Sequence, residues 1–113
     1  MIKQMALLPV SLPIVIDAAA LEAFCRRWKI ARLEVFGSVL REDFRADSDV
    51  DFLVTPGSDA SWSLFDRVDM KDELAALIRR KADIAERPSL EKSPNWIRRR
   101  EILSTAVPLY DAG

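Results

Sequence analysis

Apolar residues recur along this chain with two periods, and the switches between them mark out its elements. Ala18, Leu21, Phe24, Cys25 and Trp28 share one side of a helix, and Asp17 stands where a cap is needed, so a helix is predicted from residue 17 to about 28. A strand is predicted over 32–36. Gly37-Ser38 turns the chain, residues 39–44 form a short helix or loop, and the polar stretch 45–48 is turn-like. The next strand spans about 49–55 and stops at Pro56-Gly57. Ser61 or Ser63 starts the longest helix, to about residue 80, with Leu64, Phe65, Val68, Leu74, Leu77 and Ile78 as its core face. A brief strand over 82–85 is ended by Arg87-Pro88. Ser93 caps a last helix with Pro94 in its first turn and Trp96, Ile97 and Leu103 on its buried side. Residues 107–110 are an apolar tail. Alternating strands and helices predict an α/β domain with a small central sheet, whose strand order this pattern leaves open.

A length of 113 residues fits one domain, divided here into an arm over 1–16 and a folded unit over 17–113. Residues 5–16 are apolar but interrupted by Pro9 and Pro13, and they fall short of the ~20 residues a membrane-spanning helix needs. No cleavage site follows them, so an extended arm packed on this domain or on a partner is expected, not a signal peptide or membrane anchor.

Charge narrows the chemistry. Seventeen basic and 18 acidic residues leave a net charge of −1, which argues against bulk nucleic-acid or anionic-membrane binding. Arg79-Arg80-Lys81 and Arg98-Arg99-Arg100 offer contacts to nucleotide phosphates or RNA, but the near-neutral total charge favours solvated helix faces. There is no histidine, which excludes Ser-His-Asp and Cys-His catalysis and His-ligated zinc. The single cysteine, Cys25, excludes an intrachain disulfide, fits a reducing cytoplasm and is expected to pack in the core. Trp28, Trp62 and Trp96 are likewise expected to pack.

The most informative stretch begins at Gly37-Ser38, at the end of one predicted strand. Ten residues later Asp49-Val50-Asp51 opens the next strand. Side chains alternate along a strand, so Asp49 and Asp51 share a face. Two carboxylates this close repel, and a divalent cation removes the cost. Magnesium takes one or two carboxylates and completes its shell with water and substrate phosphates. Gly37 lets a phosphate approach the backbone, and Ser38 adds a hydroxyl donor. Asp83, in a short run of small and apolar residues, is a candidate third carboxylate; otherwise it is an edge-strand charge paired with Arg79 or Lys81.

Gly37-Ser38, the ten-residue gap and Asp49-x-Asp51 resemble the signature of the DNA polymerase beta-like nucleotidyltransferase superfamily. The short length resembles its minimal nucleotidyltransferase (MNT) branch, the MntA-type antitoxins paired with HEPN-domain toxins. Arg41 and Asp43, the strand around Asp49 to Val54, Asp83 followed by Ile84, and the end from Ile102 to Tyr110 extend the resemblance over about 17–110. Glu42 departs from it, standing where glycine is frequent. The resemblance implies an α+β fold, a small mixed β-sheet flanked by helices. It also implies ATP as substrate, two Mg2+ ions on Asp49, Asp51 and Asp83, and phosphates beside Gly37 and Ser38. AMP transfer to a tyrosine hydroxyl of a HEPN toxin would make the chain an antitoxin in a hetero-oligomer. Nucleotidyltransferases that modify antibiotics carry a further helical domain for the acceptor; here the acceptor is expected on another protein. The alternatives are a non-catalytic antitoxin that acts by binding, and a subunit of a small-molecule nucleotidyltransferase.

Overall fold

The computed structural model describes the backbone of residues 5–6 and all of residues 12–113. The elements run β1 (Met5–Ala6), α1 (Ala18–Arg27), β2 (Ile30–Phe36), a 3-10 turn (Gly37–Leu40), β3 (Val50–Pro56), α2 (Leu64–Ile78), β4 (Ala82–Glu86), α3 (Arg87–Glu91), α4 (Trp96–Thr105) and β5 (Val107–Asp111). The five strands lie in the order β1-β5-β2-β3-β4, antiparallel except for the parallel pair β3 and β4. This is a small mixed sheet with helices on both faces. No helix among the described residues is long and apolar enough to cross a membrane. Of the predicted arm, residues 1–4 and 7–11 lie outside the described residues. Met5–Ala6 pairs with β5, and Leu12, Ile14 and Ile16 pack against the core.

Caps explain where the helices start. Asp17 accepts from the backbone of Ala19 at 2.9 Å and Ala20 at 3.3 Å. Ser63 and Asp66 form a reciprocal capping box, so Ser63 and not Ser61 begins α2. Arg79, at φ 58°, ends α2 in the left-handed conformation.

Strand alternation gives the sheet two distinct faces. Leu33 and Val35 of β2, and Val50, Phe52 and Val54 of β3, form the main core with Leu21, Phe24 and Cys25 of α1 and Met70, Leu74 and Ile78 of α2. The other face carries Phe36 and Leu53, covered by Leu90 of α3 and Ile102 of α4. On it Glu34, only 2% exposed, meets Arg87 at 2.7 Å, so an ion pair anchors the start of α3 to the sheet. Breaking such a buried pair costs more than keeping it gains over an apolar contact.

Several sequence expectations are corrected. Leu64, Phe65 and Val68 do not face the core; Phe65 is 81% exposed. At about 100° per residue Phe65 falls opposite the stripe of Met70, Leu74 and Ile78, and Leu64 and Val68 fall on its flank. Trp96, 57% exposed, and Ile97 are displaced in the same way from Ile102, the buried residue of α4. Arg87-Pro88 does not simply end a strand but opens α3, with the proline in its first turn. Ser93 therefore closes α3, its N–H donating to the carbonyl of Leu90 at 3.0 Å. Asn95 caps α4 instead, accepting from the Arg98 backbone at 3.2 Å. The apolar tail is β5, an inner strand. Its Pro108 sits where the register with β2 shifts between Leu33 and Glu34, a place where a missing N–H is tolerated.

Trp28 and Trp62 do pack, and each finds a partner for its indole N–H: Glu73 at 2.8 Å and the carbonyl of Trp28 at 2.9 Å. Cys25 is fully buried, and burial, with Glu22 nearby, pushes its thiol up to about 12. It is a core residue and holds no thiolate at neutral pH.

Candidate active site

The site is built on the face covered by α3 and α4, where β2, β3 and β4 end or begin side by side. Phe36 of β2 pairs with Asp51 of β3, and Asp51 pairs with Asp83 of β4. The sheet thus presents Gly37, Asp51 and Asp83 in that order across three strands. Asp49 precedes β3 by one residue and shares the Asp51 side by alternation.

The backbone conformation favours glycine at position 37, and the Asp51 side chain would have to move for any larger residue. The φ of Gly37 is +77°, in the region that favours glycine, and a Cβ there would lie 2.6 Å from Oδ2 of Asp51. The Asp51 carboxylate thus lies directly against the Gly37 backbone. Ser38 donates its hydroxyl to the carbonyl of Asp49 at 3.4 Å, linking the turn to the start of β3. The intervening loop is held by a residue that charge patterning placed on a solvated face. Arg80 donates to the carbonyls of Arg45 and Ser48 at 3.2 and 3.3 Å and lies over the Phe44 ring at 4.7 Å. Glu42, where the resemblance favours glycine, is exposed in this loop.

Asp51 is half-buried, whereas Asp49 and Asp83 are exposed. Burial raises the Asp51 pKa above its ordinary 3.8, the negative charges of Asp83 and Asp49 raise it further, and Arg98 and Arg41 oppose them. Asp83 faces neither Arg79 nor Lys81. Its carboxylate lies 3.7 Å from Lys71 of α2 and accepts from the Ile84 N–H at 3.1 Å. Among the described residues no three His, Cys, Asp or Glu side chains are grouped closely enough to hold a metal ion between them. The donors still suit magnesium. They are hard oxygens, and the central one carries a repulsion that a divalent cation would relieve. Asp49, Asp51 and Asp83 are the groups that would hold such ions, which would neutralise phosphate charge.

The sequence carries no signal for Lys71, and for Arg98 only membership of a basic run that reads as a phosphate contact or a solvated face. Arg98 sits in a run of three arginines, and only the fold distinguishes them. Arg99, half-buried, donates to the carbonyl of Ser93 at 2.5 Å, whereas Arg98, one turn before Ile102, is exposed and its charge is felt at Asp51.

The Asp51 pKa has a measurable consequence for stability. Folding disfavours its ionised form, so between 3.8 and its raised value the native state holds more protons than the unfolded chain. Stability therefore falls as pH rises through that window. With a chelator present, Asp51→Asn is expected to melt above the parent protein at pH 7. The gap should close below pH 4 and stay modest, because the group is partly solvated. Thermal melts at the two pH values check this.

Residues 18–107 match the family model of the nucleotidyltransferase domain. The chain belongs to that family. A solved structure assigned as a minimal nucleotidyltransferase is 34% identical, with a TM-score of 0.61, over 80% of this chain and 86% of that one. A toxin-antitoxin structure with AMP-PNP superposes with a TM-score of 0.62 at 16% identity, over 83% of this chain and 73% of that chain. The toxin-antitoxin MntA-HepT gives 0.55 at 14% identity, over 83% and 69%. At those identities the last two establish a common fold. No curated protein matches the chain. The polymerase beta-like minimal nucleotidyltransferase assignment thus rests on the family match, the fold and the 34% identical relative.

Proposed function

We propose that this chain transfers AMP from ATP to a hydroxyl, a tyrosine hydroxyl in particular, on a HEPN-domain toxin and so acts as its antitoxin in the cytoplasm. The observation that carries the reading is Asp51, half-buried between Asp49 and Asp83 and facing a backbone that only glycine permits. The catalytic unit is residues 17–113, with 1–16 as an arm. Asp49, Asp51 and Asp83 hold magnesium, and Gly37 and Ser38 receive the phosphates. The acceptor oxygen attacks the α-phosphorus and forms a new P–O bond. The bond to the oxygen bridging the α- and β-phosphates breaks, and pyrophosphate leaves with that electron pair. The acceptor proton passes to Asp83, on the exposed edge strand, and on to solvent. Positioning and charge neutralisation account for most of the acceleration. The toxin-antitoxin neighbours, one of them with AMP-PNP, support a nucleotide substrate and a toxin partner.

The test is to incubate the purified pair with ATP and magnesium and weigh each chain intact. A gain of one or more AMP units on the partner, abolished by chelation, supports the reading. A toxin silenced in the complex without any gain in mass would identify an antitoxin that works by occlusion.

A further inference from the structure

We infer that Arg80 is a positioning residue for the active site: from the junction of α2 and β4 it fixes Asp49, and so aims the carboxylate that would hold a divalent ion. The inference rests on the nucleotidyltransferase reading and deepens it. Asp51 sits inside paired strands, with Phe36 on one side and Asp83 on the other. Asp49 lies one residue before β3, and the ladder with β4 begins only at Val50 and Ala82. A ligand at a strand start is only as well aimed as the backbone that carries it.

The loop that leads to Asp49 buries little of its own. Residues 41–43 and 45–47 are exposed; Phe44 and Ser48 are half-buried, and Arg80 touches both. Its Nη1 donates to the carbonyl of Ser48 at 3.3 Å and to that of Arg45 at 3.2 Å. Its guanidinium carbon lies 4.7 Å from the centre of the Phe44 ring. These contacts grip a turn the loop has already made, in which the Ser48 N–H donates to the Arg45 carbonyl at 3.1 Å and the Arg45 N–H to the Ser48 hydroxyl at 2.9 Å. The Ser48 carbonyl belongs to the peptide that enters Asp49. The peptide that leaves Asp49 is held one residue further on, where the Val50 N–H donates to the carbonyl of Lys81 at 3.0 Å. Asp49 is thus bracketed by Arg80 and Lys81, and its own carbonyl accepts from Ser38 at 3.4 Å. Within that bracket the Arg80 contact comes from a side chain, so substitution can remove it and leave the strand pairing in place. Groups that orient a metal ligand from behind govern metal affinity or activity by about 10–100-fold. Charge alone has the opposite sign: loss of a cation by itself would tighten binding of a divalent ion to these carboxylates.

The experiment titrates Mn2+, followed by its electron paramagnetic resonance signal, into the metal-free whole chain. The parent is compared with Arg80→Ala, Arg80→Lys, Lys81→Ala, Asp49→Asn and the double variant of Arg80→Ala with Asp49→Asn. Hydrogen exchange over residues 41–49 is read on the same samples without metal. Arg80→Ala should bind Mn2+ about tenfold or more weakly and exchange faster over 41–49. Arg80→Lys keeps the charge and a donor but not the flat guanidinium, and should fall between that variant and the parent. Lys81→Ala removes an exposed charge one residue on and should stay within about twofold of the parent. In the Asp49→Asn background Arg80→Ala should cost no more than about twofold, because the ligand it acts through is gone. An unchanged or higher Mn2+ affinity in Arg80→Ala overturns the inference, even if the loop exchanges faster. So does an equal loss with and without Asp49. Should Arg80→Ala not fold, Arg80→Gln takes its place under the same criteria. A parent chain that binds no Mn2+ overturns the metal-site reading itself, and the positioning role with it.

Discussion

Asp49→Asn and Asp51→Asn should each abolish AMP transfer, lowering the rate by about a thousandfold or more, while the chain folds and still binds its partner. Loss of one preorganised electrostatic contact at a phosphoryl or acyl centre already costs about 10²–10³-fold. Here the lost group would also hold the ion. The fold should survive because both positions sit in a cluster of like charge: Asp51 is pushed up by burial and by Asp83 and Asp49, so an amide relieves the apo protein. Activity and stability are thus expected to move in opposite directions for Asp51→Asn, a pattern that general misfolding cannot give. Intact mass of the partner and the thermal melt of the variant are the two readouts. Full transfer by either variant would remove these residues from the catalytic role.

Gly37→Val is expected to be the other severe change. The substituted residue must hold a φ near +77°, and its Cβ would fall 2.6 Å from the Asp51 carboxylate. The backbone strain alone is about 1–3 kcal/mol. The branched carbons would also fill the space in which a phosphate would meet the backbone. Triphosphate affinity and stability should therefore fall together. Ser38→Ala should be milder, because Ser38 has an ordinary rotatable hydroxyl and its contact with the Asp49 carbonyl is a long 3.4 Å. Denaturant unfolding beside ATP binding measures both effects. An unchanged triphosphate affinity in Gly37→Val would mean that the phosphates lie elsewhere.

Much of this architecture was legible because local signals and tertiary need agree. Asp17 caps where a cap was expected, and Gly37 turns the chain between strands whose apolar runs are buried. The carboxylate motif was legible for the same reason: its spacing spans one loop and places Asp49 and Asp51 at one strand start. Helix faces were harder. In α2 and α4 apolar residues occur on both sides, and only packing against the sheet selects Met70, Leu74, Ile78 and Ile102 over Phe65 and Trp96. Five-residue α3 escaped notice because Arg87-Pro88 reads equally as a stop for a strand and a start for a helix. The roles of Arg80 and Arg98 depend on what lies across space from them. A run of three basic residues says nothing about which one points inward.

The position of Asp83 bears on more than chemistry. Met5–Ala6 pairs with β5, but β4 has no strand on its outer side in the sheet order of the described residues. A bare edge invites another chain to dock by backbone pairing and to nucleate aggregation. Here the edge is five residues long, carries Asp83 and Glu86, and runs directly into Pro88, which has no N–H to offer. In the proposed reaction the carboxylate that faces the acceptor would thus also be one of the charges that disfavour edge-to-edge pairing of this strand. An apolar replacement at Asp83 would weaken the guard on this edge, leaving it to Glu86 and Pro88, at the same position where the proposed chemistry needs a carboxylate.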